Sequence, residues 1–293
     1  MKLFALDMDG TTLSSTNEIS PENIQAIQKA RELGHKVMML SGRAPESIQE
    51  VLNRYSLDLP MGGSNGTAVF ADGKLLELTS LAASQNSIIA QTAELEAVPY
   101  KIYTNKGIYF QREWPERLQR TLDSEAVPEE YFGDENFGKM TAIPDAAGGL
   151  QAFDSIQSLQ EDEELSIQKF FLLTLDPVQK ERLLTALKNI DGVYVTSSSS
   201  FNIEVMNING NKGNGLKVMA EYLNIPLEDT VAIGDQFNDL PMFEAAGFAV
   251  AMGNAVEEIR QQSDYVTATN DENGVALAIE YVLNKLTVPE GMA

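Results

Sequence analysis

LFALDMDGTTL, residues 3–13, opens on an apolar run and then delivers two carboxylates, Asp7 and Asp9, before Gly10 and two threonines end the extended segment. On an extended backbone, residues i and i+2 project to the same side. The run reads as a buried strand whose end presents two acids with backbone and hydroxyl donors beside them. Such an end suits a divalent cation or an anionic group. Taken alone, Asp-x-Asp-Gly also fits a solvated strand end closed by a turn.

Outward from this strand the chain alternates. Ser20 caps and Pro21 opens a helix over roughly residues 21–34, with Ile24, Ile27, Ala30 and Arg31 on its periodic face and Gly34 as its stop. KVMMLSG is a second strand, and Pro45 opens a helix that ends near Tyr55. Near-continuous apolar strands alternating with amphipathic helices predict a parallel sheet covered on both sides. AVFADGKLLEL reads as a hairpin turning at Asp72-Gly73. From about residue 83 to about residue 208 the character changes. A helix (SQNSIIAQTAELEA) is followed by a hairpin turning at Asn105-Lys106-Gly107 and by an acidic stretch containing Pro and Gly. Then come the strand SIQKFFLLTL, the helix PVQKERLLTALKNI, and two strands or a hairpin in VYVTSSSSFNIEVM. This predicts a separate unit with its own antiparallel sheet. Helix and strand then alternate from KGNGLKVMAEYL to ENGVALAIEYVLNKL, and the tail beyond Leu286 is expected to fray. The expected class is α/β: a doubly wound, mostly parallel core sheet over 1–82 and 209–293, with an inserted α+β domain over 83–208.

The 293 residues suffice for a sizeable core or two smaller ones. A formal net charge of -22 argues against nucleic acid and against an anionic membrane surface. An acidic body still takes a small phosphate ester where a few cations and a metal reverse the local field. The absence of cysteine excludes disulfides, thiolate metal sites and a Cys nucleophile. His35 is the one histidine, so His-rich metal sites are excluded and a Ser-His-Asp triad has no other base to call on. It begins the strand-like run HKVMML, where a structural polar residue is the ordinary reading. No apolar segment reaches roughly 18 residues, and no basic leader precedes the first strand. Neither a membrane span nor a signal peptide is expected, and the expected location is the cytoplasm.

Three further segments carry groups for an anion or a metal. In LSGRAPES, Ser41 and the Gly42 amide can donate to an anion and Arg43 adds charge; alone, the segment is also an ordinary strand–helix turn. In NGNKGNGL, Lys212 begins a helix, where its charge and the helix N-terminus both favour an anion; a solvent-facing lysine is the plain alternative. In VAIGDQFNDLPMF, Asp235 ends a strand, and Asn238 and Asp239 open a helix. That acidic pair fits a metal ligand with a supporting carboxylate, or, for Asp239, a charge complementing the helix dipole. An oxygen-only set suits Mg²⁺. One carboxylate can attack phosphorus while another moves protons. The strand ends share one edge of a parallel sheet, so the four points can converge.

DMDGTTL, LSGR, Lys212 in NKGNGL and GDQFNDLPMF, in that order, resemble the four motifs of the haloacid dehalogenase superfamily of phosphatases. The inserted unit, between the second and third motifs, resembles the α/β cap of its Cof-type sugar-phosphatase branch, as does GFAVAMGNAVEEIRQQSDYVTATNDENGVALAI after the fourth. In the inserted unit the resemblance rests on position and style. It implies Mg²⁺-dependent hydrolysis of small phosphomonoesters, such as sugar phosphates, through an aspartyl-phosphate. By resemblance, Asp7 is the nucleophile and a Mg²⁺ ligand. Asp9 is the general acid/base, its backbone carbonyl also reaching the metal. Asp235 is the third protein contact to Mg²⁺, with Asp239 as a supporting acid. Ser41, Gly42, Lys212 and Asn238, with the Met8 amide, hold the phosphoryl oxygens. Asn65 in GGSNGT, and Arg43, stand on the substrate side. Asp9, where ATPase relatives carry Thr, implies prompt hydrolysis of the intermediate. Thr12 and Asn273 depart from the usual Leu and Asp, at positions outside the direct catalytic contacts. A phosphomutase and a non-catalytic phosphometabolite-binding protein remain open as alternatives, and the sequence leaves the oligomeric state open. Trp114, ahead of Pro115, reads as packing or as a stacking platform for substrate.

Overall fold

The first apolar run is strand β1 (Leu3–Leu6), buried along its whole length, as an inner strand of a sheet covered on both faces must be. The structure, a computed structural model, describes residues 1–134, 137–145 and 149–287. After β1 come α1 (Pro21–Glu32), β2 (Lys36–Leu40), α2 (Pro45–Arg54), β3 (Met61–Gly63) and the hairpin of β4 (Ala68–Ala71) and β5 (Lys74–Leu78). Next are α3 (Ala83–Leu95), β6 (Tyr100–Thr104), β7 (Gly107–Gln111), α4 (Trp114–Leu122), α5 (Phe137–Met140) and β8 (Gln151–Phe153). They are followed by α6 (Ile156–Gln160), β9 (Ile167–Leu173), α7 (Pro177–Lys188), β10 (Val193–Thr196) and β11 (Asn202–Asn207). The chain closes with α8 (Lys212–Tyr222), β12 (Thr230–Gly234), α9 (Leu240–Ala245), β13 (Phe248–Ala251), α10 (Glu257–Arg260), β14 (Tyr265–Val266) and α11 (Gly274–Thr287). The expected frayed tail lies outside the described residues from 288 onward. No helix of the described residues is long and apolar enough to cross a membrane.

Two compact units result: residues 1–78 with 211 onward, and residues 79–210. The insertion thus begins and ends slightly outside the expected 83–208. The Leu81 amide donates to the Ile167 carbonyl (2.8 Å), the Asn207 side chain to the Ser80 carbonyl (3.1 Å), and the Ile208 amide to the Gly192 carbonyl (2.9 Å). These bonds tie both connecting segments to the second unit.

The first unit holds an eight-stranded sheet in the order β14-β13-β12-β1-β2-β3-β4-β5. Pairing is parallel from β14 to β3 and antiparallel through β4 and β5. Alternate side chains of β1 enter different apolar clusters: Phe4 and Leu6 with Ile27, Ile48 and Ile279, and Leu3 and Ala5 with Leu216, Met219 and Met242. Two buried faces explain the unbroken apolar run. Local signals act as read. Ser20 Oγ accepts from the Asn23 amide at 3.2 Å, and Asp72 and Gly73 turn the hairpin at φ 51° and 70°, as a two-residue primed turn requires. The helix expected over AVEEIRQQ is shorter, four residues of α10.

The second unit holds a six-stranded sheet in the order β10-β11-β9-β6-β7-β8. It is antiparallel except at β7–β8, which is parallel. Ile89, Ala93, Leu183 and Leu187 from α3 and α7 pack with Ile102, Phe170 and Ile203 of the sheet. Trp114 is fully buried beside Phe171, Leu173 and Phe201, so packing, not exposed stacking, is its role here.

Candidate active site

β12, β1 and β2 are neighbours, so the segments following them leave the sheet at one edge. Asp7 comes directly after β1, and its amide still donates to the Ile233 carbonyl at 2.9 Å. The chain then folds over itself. The Asp7 carbonyl accepts from the Thr12 hydroxyl at 2.6 Å, and the Met8 carbonyl accepts from the Leu13 amide at 2.8 Å. Thr12, unusual by resemblance, thus has a local backbone task. Gly10 sits at φ +75°, and a Cβ there would lie 2.5 Å from Asp235 Oδ2. Only glycine meets both demands.

The extended backbone that would put Asp7 and Asp9 on one side is absent here, yet the Asp9 charge still reaches the Asp7 carboxyl. The strand ends at Leu6, so strand alternation does not extend across this pair. Asp7 is buried, whereas the Asp9 side chain is 55% exposed and pairs with Arg43. Arg43 Nε donates to Asp9 Oδ2 at 2.7 Å and Nη2 to Oδ1 at 2.5 Å, a two-pronged pair.

Lys212, at the start of α8, is buried with its Nζ 2.5 Å from Asp7 Oδ1 and 2.5 Å from Asp239 Oδ1. Asp239 Oδ2 accepts from the Asp235 amide (2.8 Å) and the Gln236 amide (2.9 Å). Asp235 Oδ1 accepts from the Thr11 hydroxyl at 2.8 Å. Asp7, Asp235 and Asp239 each offer an oxygen within 4.8 Å of the others. Burial, with the neighbouring carboxylates and against the pull of Lys212, raises Asp7 to about 7. Burial and the charges of Asp7 and Asp239 hold Asp235 well above the carboxylate range. For Lys212, burial pulls downward, but Asp239 and Asp7 outweigh it and hold the ammonium charged.

Ser41 follows β2, and its Oγ accepts from the Arg43 amide at 3.2 Å. Gly42 lies between them, and Met8 is fully buried beside Asp7. Asn238 donates from Nδ2 to Asn65 Oδ1 at 3.1 Å. The structure therefore brings Asp7, Lys212, Asp235 and Asp239 into direct contact, and joins Asn65 to Asn238 and Asp9 to Arg43. Two participants went unassigned in the sequence. Thr11 stands in the first motif without its partner Asp235 being evident, and Asn254, inside the stretch GFAVAMGNAV that resembles the branch, donates to the Gly10 carbonyl at 2.8 Å without a role read for it.

The donor set fits Mg²⁺. Every candidate ligand is an oxygen, from carboxylates and from the Asp9 backbone carbonyl, as a hard cation prefers. Both oxygens of Asp239 already accept, whereas Asp7 Oδ2 and Asp235 Oδ2 accept from no donor among the described residues. Three buried carboxyl groups face one ammonium, and burial together with the neighbouring carboxylates holds Asp7 and Asp235 above the usual range.

Comparison with known proteins agrees with this geometry. The family model for haloacid dehalogenase-like hydrolases matches residues 4–279. Phosphatase YwpJ of Bacillus subtilis is 33% identical, the alignment covering 97% of this chain and 100% of that protein. The 5-amino-6-(5-phospho-D-ribitylamino)uracil phosphatase YwtE of Bacillus subtilis is 32% identical, covering 97% and 99%. A solved haloacid dehalogenase-like hydrolase from Bacillus subtilis superposes with a TM-score of 0.83 at 31% identity, over 96% of this chain and 100% of the other.

Proposed function

The chain belongs to the haloacid dehalogenase-like hydrolases, and from that premise we propose that it is a Mg²⁺-dependent phosphatase of small phosphomonoesters, acting through an aspartyl-phosphate on Asp7. The observation that carries this reading is the contact of Lys212 Nζ with Asp7 Oδ1 inside a buried carboxylate cluster at a strand-end edge. A nucleophilic carboxylate repels a phosphate dianion. Lys212 offsets that repulsion and stabilises charge on the equatorial oxygens as phosphorus transfers. Asp7, Asp235 and the Asp9 backbone carbonyl would hold the ion, and when bound it would supply a Lewis acid that draws charge from the phosphoryl oxygens.

Asp7 attacks phosphorus, and the bond from phosphorus to the ester oxygen breaks. Asp9 gives its proton to that oxygen, so the alcohol departs neutral. Asp9, now a carboxylate, takes a proton from water, and the water oxygen attacks phosphorus. The Asp7–phosphorus bond breaks, phosphate leaves, and Asp9 is protonated again. Ser41, the Gly42 and Met8 amides, and Asn238 are assigned to the phosphoryl oxygens. Arg43 must release Asp9 before proton transfer, because the resting pair occupies both carboxylate oxygens. The second unit is assigned as the cap that selects the leaving group. Sugar phosphates and related phosphorylated polyols are the proposed substrates; the relative named for a phosphoribityl compound supports that class. A cytoplasmic location completes the proposal.

Phosphate release from a panel of sugar, nucleotide and vitamin phosphates tests it, with Mg²⁺ and with chelator. Activity should require the metal, and Asp7→Asn should fold normally and lose at least about a thousand-fold in rate. An Asp7→Asn protein with undiminished turnover would remove Asp7 as nucleophile. Interconversion of sugar phosphates with little phosphate release would make the enzyme a mutase.

A further inference from the structure

β3 ends at Gly63, and the next three residues, Ser64, Asn65 and Gly66, all lie at positive φ (49°, 63° and 83°). Single left-handed residues are common in turns, but two non-glycine residues in succession are costly. Ser64 and Asn65 are each 1% exposed, so this is no adaptable surface loop. The Ser64 hydroxyl also lacks a hydrogen-bond partner among the described residues, a second cost at the same residue. Strain of this kind persists only where the surroundings over-determine it, and it concentrates at functional sites.

The surroundings are the candidate active site. The Ser64 amide donates to the Arg43 carbonyl at 2.7 Å, and the Asn65 amide to the Ser41 carbonyl at 2.8 Å. Both bonds pin the segment after β2. Gly66 lies against the first turn of α8, where a Cβ would come within 2.8 Å of the Asn211 carbonyl oxygen and 3.2 Å of Gly215 Cα. Glycine at 66 lets the turn rest on the backbone that presents Lys212. The Asn65 side chain reaches a third segment, accepting from Asn238 Nδ2. One left-handed turn therefore touches the segments that carry Ser41, Lys212 and Asn238.

We propose that Asn65 is a positioning residue that acts through Asn238, and that the left-handed turn Ser64–Gly66 keeps the three phosphate-binding segments in register. This rests on the assignment of Ser41, Lys212 and Asn238 to phosphoryl oxygens. An asparagine amide keeps its shape when its ends exchange, but a donor then becomes an acceptor. With one Nδ2 hydrogen held by Asn65, the other remains a donor for a phosphoryl oxygen. Released from Asn65, Asn238 can turn its carbonyl toward the anion and repel it. Asparagine also suits position 65 because it tolerates the left-handed backbone better than most residues. Asn65 thus governs phosphate binding from behind Asn238 and is distinct from a residue that contacts the leaving group.

The test is a double-mutant cycle of Asn65→Gly, Asn238→Ala and both together. Glycine accepts the backbone conformation, so the single change removes the side chain without adding strain. KM and kcat for p-nitrophenyl phosphate with Mg²⁺ are measured, together with inorganic phosphate binding by calorimetry and the thermal midpoint. Asn65→Gly should weaken phosphate binding and raise KM about five- to ten-fold, the effect of one hydrogen bond, with kcat and the midpoint little changed. Asn238→Ala should do at least as much, and the double variant no more than Asn238→Ala alone. Multiplicative losses would show that Asn65 contacts substrate independently and would overturn the proposal. So would a lowered midpoint with unchanged KM and phosphate affinity. If the wild-type protein binds inorganic phosphate but releases none from any ester, the phosphatase reading fails, while the calorimetric cycle still decides whether Asn65 acts through Asn238.

Discussion

Lys212→Met removes a charge with little change of side-chain length, and its consequences can be worked from the contacts. The ammonium is fully buried between Asp7 and Asp239 at 2.5 Å from each. Removing one partner of a buried ion pair costs about 3–5 kcal/mol because the other charge stays buried and unpaired. Here the acids have an escape: burial already raises Asp7 from 3.8 to about 7, so it can take a proton instead of standing as an uncompensated anion. The sign follows from proton linkage. A carboxyl whose folded pKa exceeds its unfolded value stabilises the fold below the unfolded value, and that stability is lost as pH rises through the folded value. In metal-free buffer, Asp7 therefore contributes a decline in stability between pH 3.8 and about 7. Loss of Lys212 lifts Asp7 further, so its decline extends above neutrality. Thermal unfolding with chelator present should show a deficit of about 3 kcal/mol near pH 8, or about 6–12 °C for a domain of this size. The deficit should shrink to about 1 kcal/mol near pH 5, where Asp7 is neutral. Phosphate release should fall about a hundred- to a thousand-fold. Equal midpoints across the pH range, or a deficit that grows toward acid, would refute Lys212 as the counter-charge of this cluster.

Other changes probe other links. Gly10→Ala places an L-residue at φ +75° with its Cβ against Asp235 Oδ2; a loss of about 1–2 kcal/mol from the backbone alone should appear in urea unfolding, with a larger fall in phosphate release. In the second unit, Lys169 and Glu204 form an ion pair at 2.9 Å, with side chains 1% and 3% exposed. Lys169→Met should cost about 3–5 kcal/mol, and adding Glu204→Leu should recover most of it; a double variant no more stable than the single would contradict this reading. Trp114→Ala should cost about 3–5 kcal/mol in equilibrium unfolding. Trp114→Phe should cost much less, because the indole N–H that it deletes has no partner among the described residues.

The order of elements was legible because its signals are local. Ser20 and Pro21 start α1 through bonds that span one helical turn, and Asp72-Gly73 sets its hairpin through two backbone angles. Strand β1 announced two-sided burial by having no polar residue in its run. The weaker features had no comparable signal. β8 is three residues long and only partly buried, and β3 is a Met followed by two glycines. The insertion boundary shifted because hydrogen bonds to β9 and β11, remote in sequence, decide where residues 80 and 81 belong.

Local pattern sets which residue types stand at the strand ends: two acids after β1, a Ser-Gly-Arg after β2, a lysine opening α8 and two acids after β12. Local patterning places each one, since a strand must end and a helix must begin at particular residues. The partnerships come from the folded sheet. Asp7 and Asp9, two apart in the motif, take different partners: one is buried against Lys212, the other lies exposed against Arg43. Lys212 reaches Asp7 across 205 positions of chain, and Asn65 reaches Asn238 across 173. Contacts of that separation depend on which strands are neighbours in the sheet, and the pattern of any one segment carries no record of its neighbour.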